Sequence, residues 1–192
     1  MELTVLFAAV FAATFLLSKA GPAVYGAPLV LVPQASAMTR LMLQSPDEQI
    51  AIPFLNMRVR DIGDSWHEAR SGHRKHEGQD IFAPLGTPIY SATNGIVFQI
   101  ASTPKGGKNI SVLGAGSRIY YYAHLSRFAE QVKLADRVTP DTVIGYVGIT
   151  GNAVGTPPHL HFGVYDYAGA MNPLLLLANR QNLSSSRRGS GQ

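Results

Sequence analysis

The chain has 192 residues, which is room for one domain of ordinary size with extensions at its ends. It contains no cysteine, so disulfide bonds and thiolate metal ligands are excluded, and any metal site must use His, Asp or Glu. The formal net charge of +4 suits an anionic surface such as a cell wall. Apart from one run at residues 70–75, Lys and Arg are scattered, with no basic stripe and no motif of stacking aromatics, so we expect no nucleic-acid partner.

The first predicted element is an apolar helix at the N terminus. Residues 3–17 form an apolar run broken only by two threonines, which is short for a bilayer span of about 20 residues but fits the core of a signal peptide. Glu2 stands where a positive charge is usual. We assign residues 1–20 to a signal peptide or a membrane anchor, with a buried N-terminal helix as the alternative. Export to the cell envelope is therefore expected, either into the periplasm or cell wall or with residues 3–17 held in the inner membrane.

Residues 21–63 are mixed in character and predict a linker that leads into a first strand near residues 50–59. Residues 179–192 are too polar to bury apolar surface and predict a disordered tail. Between them, residues 64–178 predict one all-β, mainly antiparallel domain, a sandwich or a small open barrel, because short β-prone runs alternate with turns and no helical period is present.

Several elements can be placed within that domain. Asn94-Gly95, between β-prone residues 87–92 and 96–100, predicts a β-hairpin. A short helical turn is predicted near the end of the domain, at residues 174–178. Further strands are predicted near residues 109–114, 118–124, 143–150 and 159–165.

His159 and His161 form a first candidate metal motif. In a strand, residues two apart leave the same face roughly 6.5–7 Å from each other, so both imidazoles face one cavity while Leu160 faces away. Imidazole and carboxylate are ligands that zinc takes, and three protein ligands with one open position are typical of a catalytic zinc. An isolated pair of this kind is nevertheless more often two half-exposed polar side chains.

His76 and Asp80, four residues apart, form a second candidate motif. In a straight strand they would lie about 13 Å apart, too far for one ion, so the chain must bend between them, and Gly78 permits the bend. The helical metalloprotease motif H-E-x-x-H is absent because position 80 is Asp, which leaves Glu77 as a solvated or structural acid. Alone, this motif is weak.

The other histidines are ambiguous by themselves. His124 follows an aromatic strand, where a lone histidine is more often structural. His67 and His73 have no partner at a metal-binding spacing, and we expect both on the surface.

Four segments follow one another along the chain: residues 76–88 (HEGQDIFAPLGTP), 121–125 (YYAHL), 150–153 (TGNA) and 159–163 (HLHFG). Together they resemble the M23 family of zinc metallopeptidases, the lysostaphin- and LytM-type peptidoglycan endopeptidases. The resemblance runs in order over residues 64–175 and is far more specific than any one motif. Gln79 departs from it, since the family more often has an apolar residue there, and we expect this to affect packing and not coordination.

The resemblance implies a site and an activity. His76, Asp80 and His161 would bind Zn²⁺, and His124 and His159 would flank the metal as catalytic residues. The fold would be a β-sheet groove, and the protein a zinc-dependent endopeptidase that hydrolyses peptide bonds in peptidoglycan stems or cross-links. We expect a monomer. The alternative is a non-catalytic envelope protein of the same fold that binds peptidoglycan or activates an amidase.

Overall fold

The structure is a computed structural model that describes residues 31–70 and 72–181. The chain divides into a unit that ends at Arg40 and a unit from Leu41 onward, and helix α1, Leu31–Met42, crosses that boundary. Within the described ranges, no helix is both long enough and apolar enough to cross a bilayer. The apolar helix predicted at residues 3–17, with its signal or anchor role, lies outside the described residues.

Strands make up most of the second unit, with short single-turn helices between some of them. In chain order the strands are β1 Ile50–Ala51, β2 Ala69–Arg70, β3 Arg74–Lys75, β4 Gln79–Phe82, β5 Pro88–Tyr90, β6 Gly95–Thr103, β7 Gly107–Leu113, β8 Ile119–Leu125, β9 Arg127–Phe128, β10 Arg137–Val138, β11 Val143–Tyr146, β12 His159–Asp166, β13 Gly169–Met171 and β14 Leu177–Ala178.

The pairing of these strands confirms the predicted fold class. The main sheet has the order β10-β6-β7-β8-β12-β13, with β4 also paired to β12. A second sheet has the order β5-β11-β9, and β2 and β3 form a two-stranded ribbon. Every pairing among the described strands is antiparallel except that of β1 with β14, so the domain is all-β and mainly antiparallel.

The predicted hairpin around Asn94-Gly95 is wrong. β5 pairs with β11, whereas β6 pairs with β7 and β10. The chain changes sheets here because the residues before the turn are bonded elsewhere: the Ala92 amide donates to the Tyr122 hydroxyl at 2.8 Å, and the Ala92 carbonyl accepts from the Ala51 amide at 2.8 Å. The Asn-Gly pattern contains no information about hydrogen bonds to residues so far away in the sequence.

Three boundaries also differ from expectation. The strand expected at residues 50–59 ends at Ala51, shortly before Pro53, which has no amide hydrogen to donate. The helical turn expected at residues 174–178 is a single turn, Pro173–Leu175, followed by β14. The start of the predicted tail is bound to the domain, since Arg180 donates to the Ile52 and Pro140 carbonyls at 3.0 and 2.7 Å. From residue 182 onward the tail lies outside the described residues.

The core packs against one face of the central strands and leaves the other face for polar side chains. In β12, Leu160, Phe162 and Val164 are fully buried, and the Phe162 ring lies 5.1 Å from that of Tyr122 on β8. His159 and His161 alternate with these residues and so occupy the opposite face. The same core includes Ile50, Ile52, Ile81, Ile89, Val97, Ile110, Val112, Tyr120, Leu125 and Ile144.

Candidate metal centre

The pairing of β4 with β12 brings the two sequence motifs together. Asp80 lies directly opposite His161, and Phe82 opposite His159. Side chains opposite one another in an antiparallel pair share a face, so the Asp80 carboxylate meets both histidines. Its Oδ1 lies 3.0 Å from His161 Nδ1 and 3.9 Å from His159 Nε2. The predicted common face of His159 and His161 is confirmed.

His76 reaches the same point from outside the strand. The chain bends at Gly78, as predicted, and His76 Nε2 lies 3.1 Å from Asp80 Oδ1 and 2.9 Å from His161 Nδ1. Contrary to our expectation, glycine is not required at position 78 for its backbone freedom, because the φ of Gly78 is not in the left-handed region. A Cβ at this position would instead lie 2.5 Å from His161 Cε1, so the missing side chain makes room for the imidazole.

The three donor atoms are arranged as a cation requires. His76, Asp80 and His161 each present one ligand atom, all within 4.8 Å of one another. The Ser65 carbonyl can only accept, so His76 Nδ1 donates to it at 2.7 Å and, in the neutral ring, Nε2 carries a lone pair. The lone pairs of three atoms therefore point toward one another, and these atoms share at most one proton. The atoms are His76 Nε2, Asp80 Oδ1 and His161 Nδ1. Two nitrogens and one oxygen fit zinc, whose bonds to such atoms are about 2.0–2.2 Å long.

Electrostatics favours the metal-binding protonation states of Asp80 and His161. Burial alone would raise the pKa of Asp80, but hydrogen bonds with His161 and His76 outweigh it and hold the pKa well below its usual range. Burial lowers the pKa of His161, although the hydrogen bond to Asp80 acts in the opposite direction. An ionised carboxylate beside a neutral imidazole is the protonation state that binds a metal cation.

Ser65 holds both residues of the second motif, His76 and Asp80, a role that sequence analysis missed. Its carbonyl binds His76 Nδ1, and its hydroxyl accepts from the Asp80 amide at 2.9 Å. Ser65 is held in turn by the fully buried Gln79, whose Oε1 accepts from the Ser65 amide at 3.4 Å and whose Nε2 donates to the Gly63 carbonyl. Gln79 therefore acts through packing and hydrogen bonding next to His76 and Asp80.

A second missed residue is Arg70, at the end of β2. Its Nη2 donates to Asp80 Oδ2 at 2.6 Å, on the oxygen that faces away from the donor cluster. The sequence showed Arg70 only as the first residue of a basic run, because ten residues separate it from Asp80.

His124 is turned toward the cluster by an irregularity in β8. Lys108 of β7 pairs with Leu125 and Ile110 pairs with Tyr122, so β8 has one extra residue in this interval, a β-bulge. Regular alternation would place His124 on the face of the buried Tyr122. With the bulge and a left-handed φ of 64°, its ring instead lies 5.1 Å from the His159 ring and 5.9 Å from the His161 ring.

His124 and His159 are oriented in the same way. His124 Nδ1 donates to the Thr150 carbonyl at 2.8 Å, and His159 Nδ1 donates to the Pro157 carbonyl at 2.8 Å. In each neutral ring this leaves the Nε2 lone pair free to accept a proton. Burial lowers the pKa of His124 to about 4, with the hydrogen bond to Thr150 opposing it, so this ring is neutral at pH 7.

The other sequence candidates stay apart from the cluster. His67 and His73 are exposed, as predicted, and both have left-handed φ values, 61° and 58°. The His67 ring stacks on Trp66. The Glu77 side chain is exposed, and its backbone carbonyl accepts from the Tyr165 hydroxyl at 3.1 Å.

The model of peptidase family M23 matches residues 74–173, just over half of the chain. The chain belongs to peptidase family M23. All five predicted site residues lie within the matched segment.

Two relatives illustrate the similarity within the M23 family. The L-Ala--D-Glu endopeptidase of Bacillus subtilis (strain 168) is 41% identical over 108 residues, 53% of this chain and 33% of the relative. A peptidoglycan DD-endopeptidase of Vibrio cholerae is 34% identical over 126 residues, 66% of this chain and 27% of the relative. The M23 chain therefore spans only about a quarter to a third of the length of these relatives.

The catalytic domain of lysostaphin from Staphylococcus simulans shares the fold. It is 28% identical with a TM-score of 0.53, and the similarity covers 60% of this chain and 92% of that domain. The predicted lysostaphin-like fold is confirmed for the M23 domain.

Proposed function

We propose that this M23 peptidase is a zinc-dependent endopeptidase that hydrolyses peptide bonds in peptidoglycan stems or cross-links. The observation that carries the proposal is the convergence of His76 Nε2, Asp80 Oδ1 and His161 Nδ1, each 2.9–3.1 Å from the other two. Three protein ligands leave a fourth tetrahedral position open, as in catalytic zinc sites. The metallopeptidase domain would extend over residues 64–178, and residues 21–63 would form a linker or N-terminal extension, of which Ile50 and Ile52 pack into the same core.

His76, Asp80 and His161 hold the zinc ion in this proposal. Zinc bound there supplies a Lewis acid, which polarises a scissile carbonyl and makes water acidic enough to attack at neutral pH. Ser65 keeps the His76 ring in the tautomer that binds metal, through its carbonyl contact with Nδ1.

His124 and His159 are the catalytic residues of the proposal. Both are buried beside the ligands, and both keep the Nε2 lone pair directed away from their carbonyl partners. One ring accepts the proton of the attacking water, and the imidazolium formed stabilises negative charge on the substrate oxygen and returns a proton to the leaving amine.

The substrate assignment rests on similarity together with charge. The relative from Vibrio cholerae is named for action on peptidoglycan, and a net charge of +4 suits an anionic wall polymer. We further propose that the protein acts in the cell envelope, where peptidoglycan lies, and that residues 1–20 serve as a signal peptide or membrane anchor. We propose a monomer, because one chain supplies all five proposed site residues and the site requires no second copy.

The proposal is tested on purified sacculi. The protein should release soluble fragments, lose this activity when a chelator removes zinc, and regain it when zinc is restored. His161→Ala, which removes one donor atom from the cluster, should lose both zinc binding and hydrolysis. Zinc binding without any hydrolysis of sacculi would favour the non-catalytic alternative, in which the domain binds peptidoglycan or activates an amidase. Unchanged hydrolysis by His161→Ala would refute the site itself.

A further inference from the structure

The two oxygens of Asp80 have different partners. Oδ1 faces the donor cluster, at 3.0 Å from His161 Nδ1 and 3.1 Å from His76 Nε2. Oδ2 faces outward and accepts from Arg70 Nη2 at 2.6 Å. The Asp80 side chain is only 12% exposed, whereas that of Arg70 is 37% exposed. The Arg70 guanidinium therefore covers the solvent-facing oxygen of the nearly buried Asp80 carboxylate.

Arg70 is tied to the same short segment as the ligand His76. β2, which ends at Arg70, pairs with β3, and β3 ends one residue before His76. The His76 amide donates to the Glu68 carbonyl at 2.9 Å, two residues before Arg70. Glu68 also approaches Arg70 from the side, with Oε2 at 3.7 Å from Nη2. The β2–β3 ribbon therefore links the proposed ligand His76, which directly follows it, to Arg70, which contacts the second proposed ligand Asp80.

The contact has a consequence for how the carboxylate can bind a metal. With both oxygens free, a carboxylate can rotate or bind through two oxygens, and either change occupies space that a catalytic site leaves for substrate and water. With Oδ2 bonded to Arg70, only Oδ1 is directed to the cluster. Groups that contact metal ligands in this way fix ligand orientation, and their loss typically costs about 10–100-fold in metal affinity or activity.

We infer that Arg70 is a positioning residue for Asp80, which holds it as a ligand through a single oxygen. The inference deepens the proposed function, because it rests on the same metal site. Arg70 acts here through Asp80 and not on the substrate.

A purely electrostatic role makes the opposite prediction for zinc. A guanidinium beside a divalent cation repels it, so removing that charge alone would leave zinc affinity unchanged or increase it. Orientation of the carboxylate predicts a loss of affinity when Arg70 is replaced by an uncharged residue. The two roles are therefore separated by the direction of the change.

The experiment compares the parent protein with Arg70→Gln, Arg70→Lys and the control Arg60→Gln. Arg60 is exposed and paired with its neighbour Asp61, so its substitution removes the same charge from the surface without touching Asp80. Zinc affinity is measured by competition with a chromophoric chelator. The visible absorption of the Co²⁺-substituted proteins reports coordination geometry independently of activity.

For Arg70→Gln we expect zinc affinity about 10–100-fold weaker than the parent and an altered Co²⁺ spectrum. Arg60→Gln should match the parent in both measurements. Arg70→Lys, which keeps a charged donor without the planar geometry, should recover part of the affinity. A parent-like Co²⁺ spectrum for Arg70→Gln, with zinc affinity equal to or above that of the parent, would overturn the inference.

A failure of the inference about Arg70 can be distinguished from a failure of the proposed function. If the parent binds zinc but does not hydrolyse sacculi, the proposed activity fails while the comparison of zinc affinities still decides the role of Arg70. If the parent binds zinc and hydrolyses sacculi, and Arg70→Gln does both equally well, only the inference about Arg70 fails.

Discussion

The contact between Gly78 and His161 leaves no room for a methyl group, and Gly78→Ala should therefore displace a ligand. The added Cβ would lie 2.5 Å from His161 Cε1, 2.7 Å from Nε2 and 3.0 Å from the Phe162 carbonyl oxygen. Ordinary contact begins near 3.4 Å, so the imidazole must move by about 0.9 Å (3.4 − 2.5). His161 Nδ1 now lies 2.9 and 3.0 Å from its two partners, and a shift of this size breaks that arrangement.

The expected effect is on the site more than on the fold. A displacement of about 1 Å can cost about 10²-fold in activity, and overpacking costs about 1–3 kcal/mol of stability. We expect weaker zinc binding by chelator competition and roughly 10²-fold slower release of fragments from sacculi by Gly78→Ala, with a folded protein by circular dichroism.

Gly63→Ala is the matched control for this prediction. It makes the same chemical change nearby in the chain, but a Cβ there has no neighbour within 4 Å, so zinc affinity should equal that of the parent. Parent-like zinc affinity and hydrolysis in Gly78→Ala would refute the argument that close approach requires glycine.

Three further predictions follow from neighbouring contacts. Gln79→Leu leaves the Gly63 carbonyl without its buried donor and should lower the free energy of unfolding by about 1–3 kcal/mol in urea titrations; an unchanged midpoint would contradict this. Thr150→Val removes the hydroxyl that binds Lys108 and Leu125 and so holds in place the Thr150 carbonyl that His124 contacts. This change should lower kcat roughly tenfold without altering zinc affinity. An unaltered kcat would show that this hydroxyl does not support His124. His124→Ala and His159→Ala should each bind zinc but lose about 10²–10⁴-fold in hydrolysis; activity close to that of the parent would remove that residue from the chemistry.

Local rules indicated which residues could act as metal ligands, whereas the family resemblance combined them into one proposed site. Alternation in a strand puts His159 and His161 on one face whatever the strand pairs with. The need for a bend between His76 and Asp80 follows from distance alone. Only the family resemblance indicated that the two motifs meet, because the register of β4 against β12 depends on residues that are distant in the sequence.

The features that sequence analysis missed depend on side chains that meet across the fold. Arg70 contacts Asp80 and Ser65 contacts His76, yet nothing in their local sequence distinguishes them from ordinary surface residues. The chain bends at residues 92–94, but the strands before and after the bend join different sheets, and the local sequence contains no information about that. His124 could be suspected from its motif, whereas the bulge that turns it toward His159 could not.

Mass spectrometry of muropeptides released from purified peptidoglycan tests the central claim most directly. With zinc present, the protein should convert intact peptidoglycan into fragments with new amine and carboxyl ends at one defined peptide bond, and His161→Ala should yield none. Absence of new peptide ends with the zinc-loaded parent, or the same fragments with His161→Ala, would contradict the account.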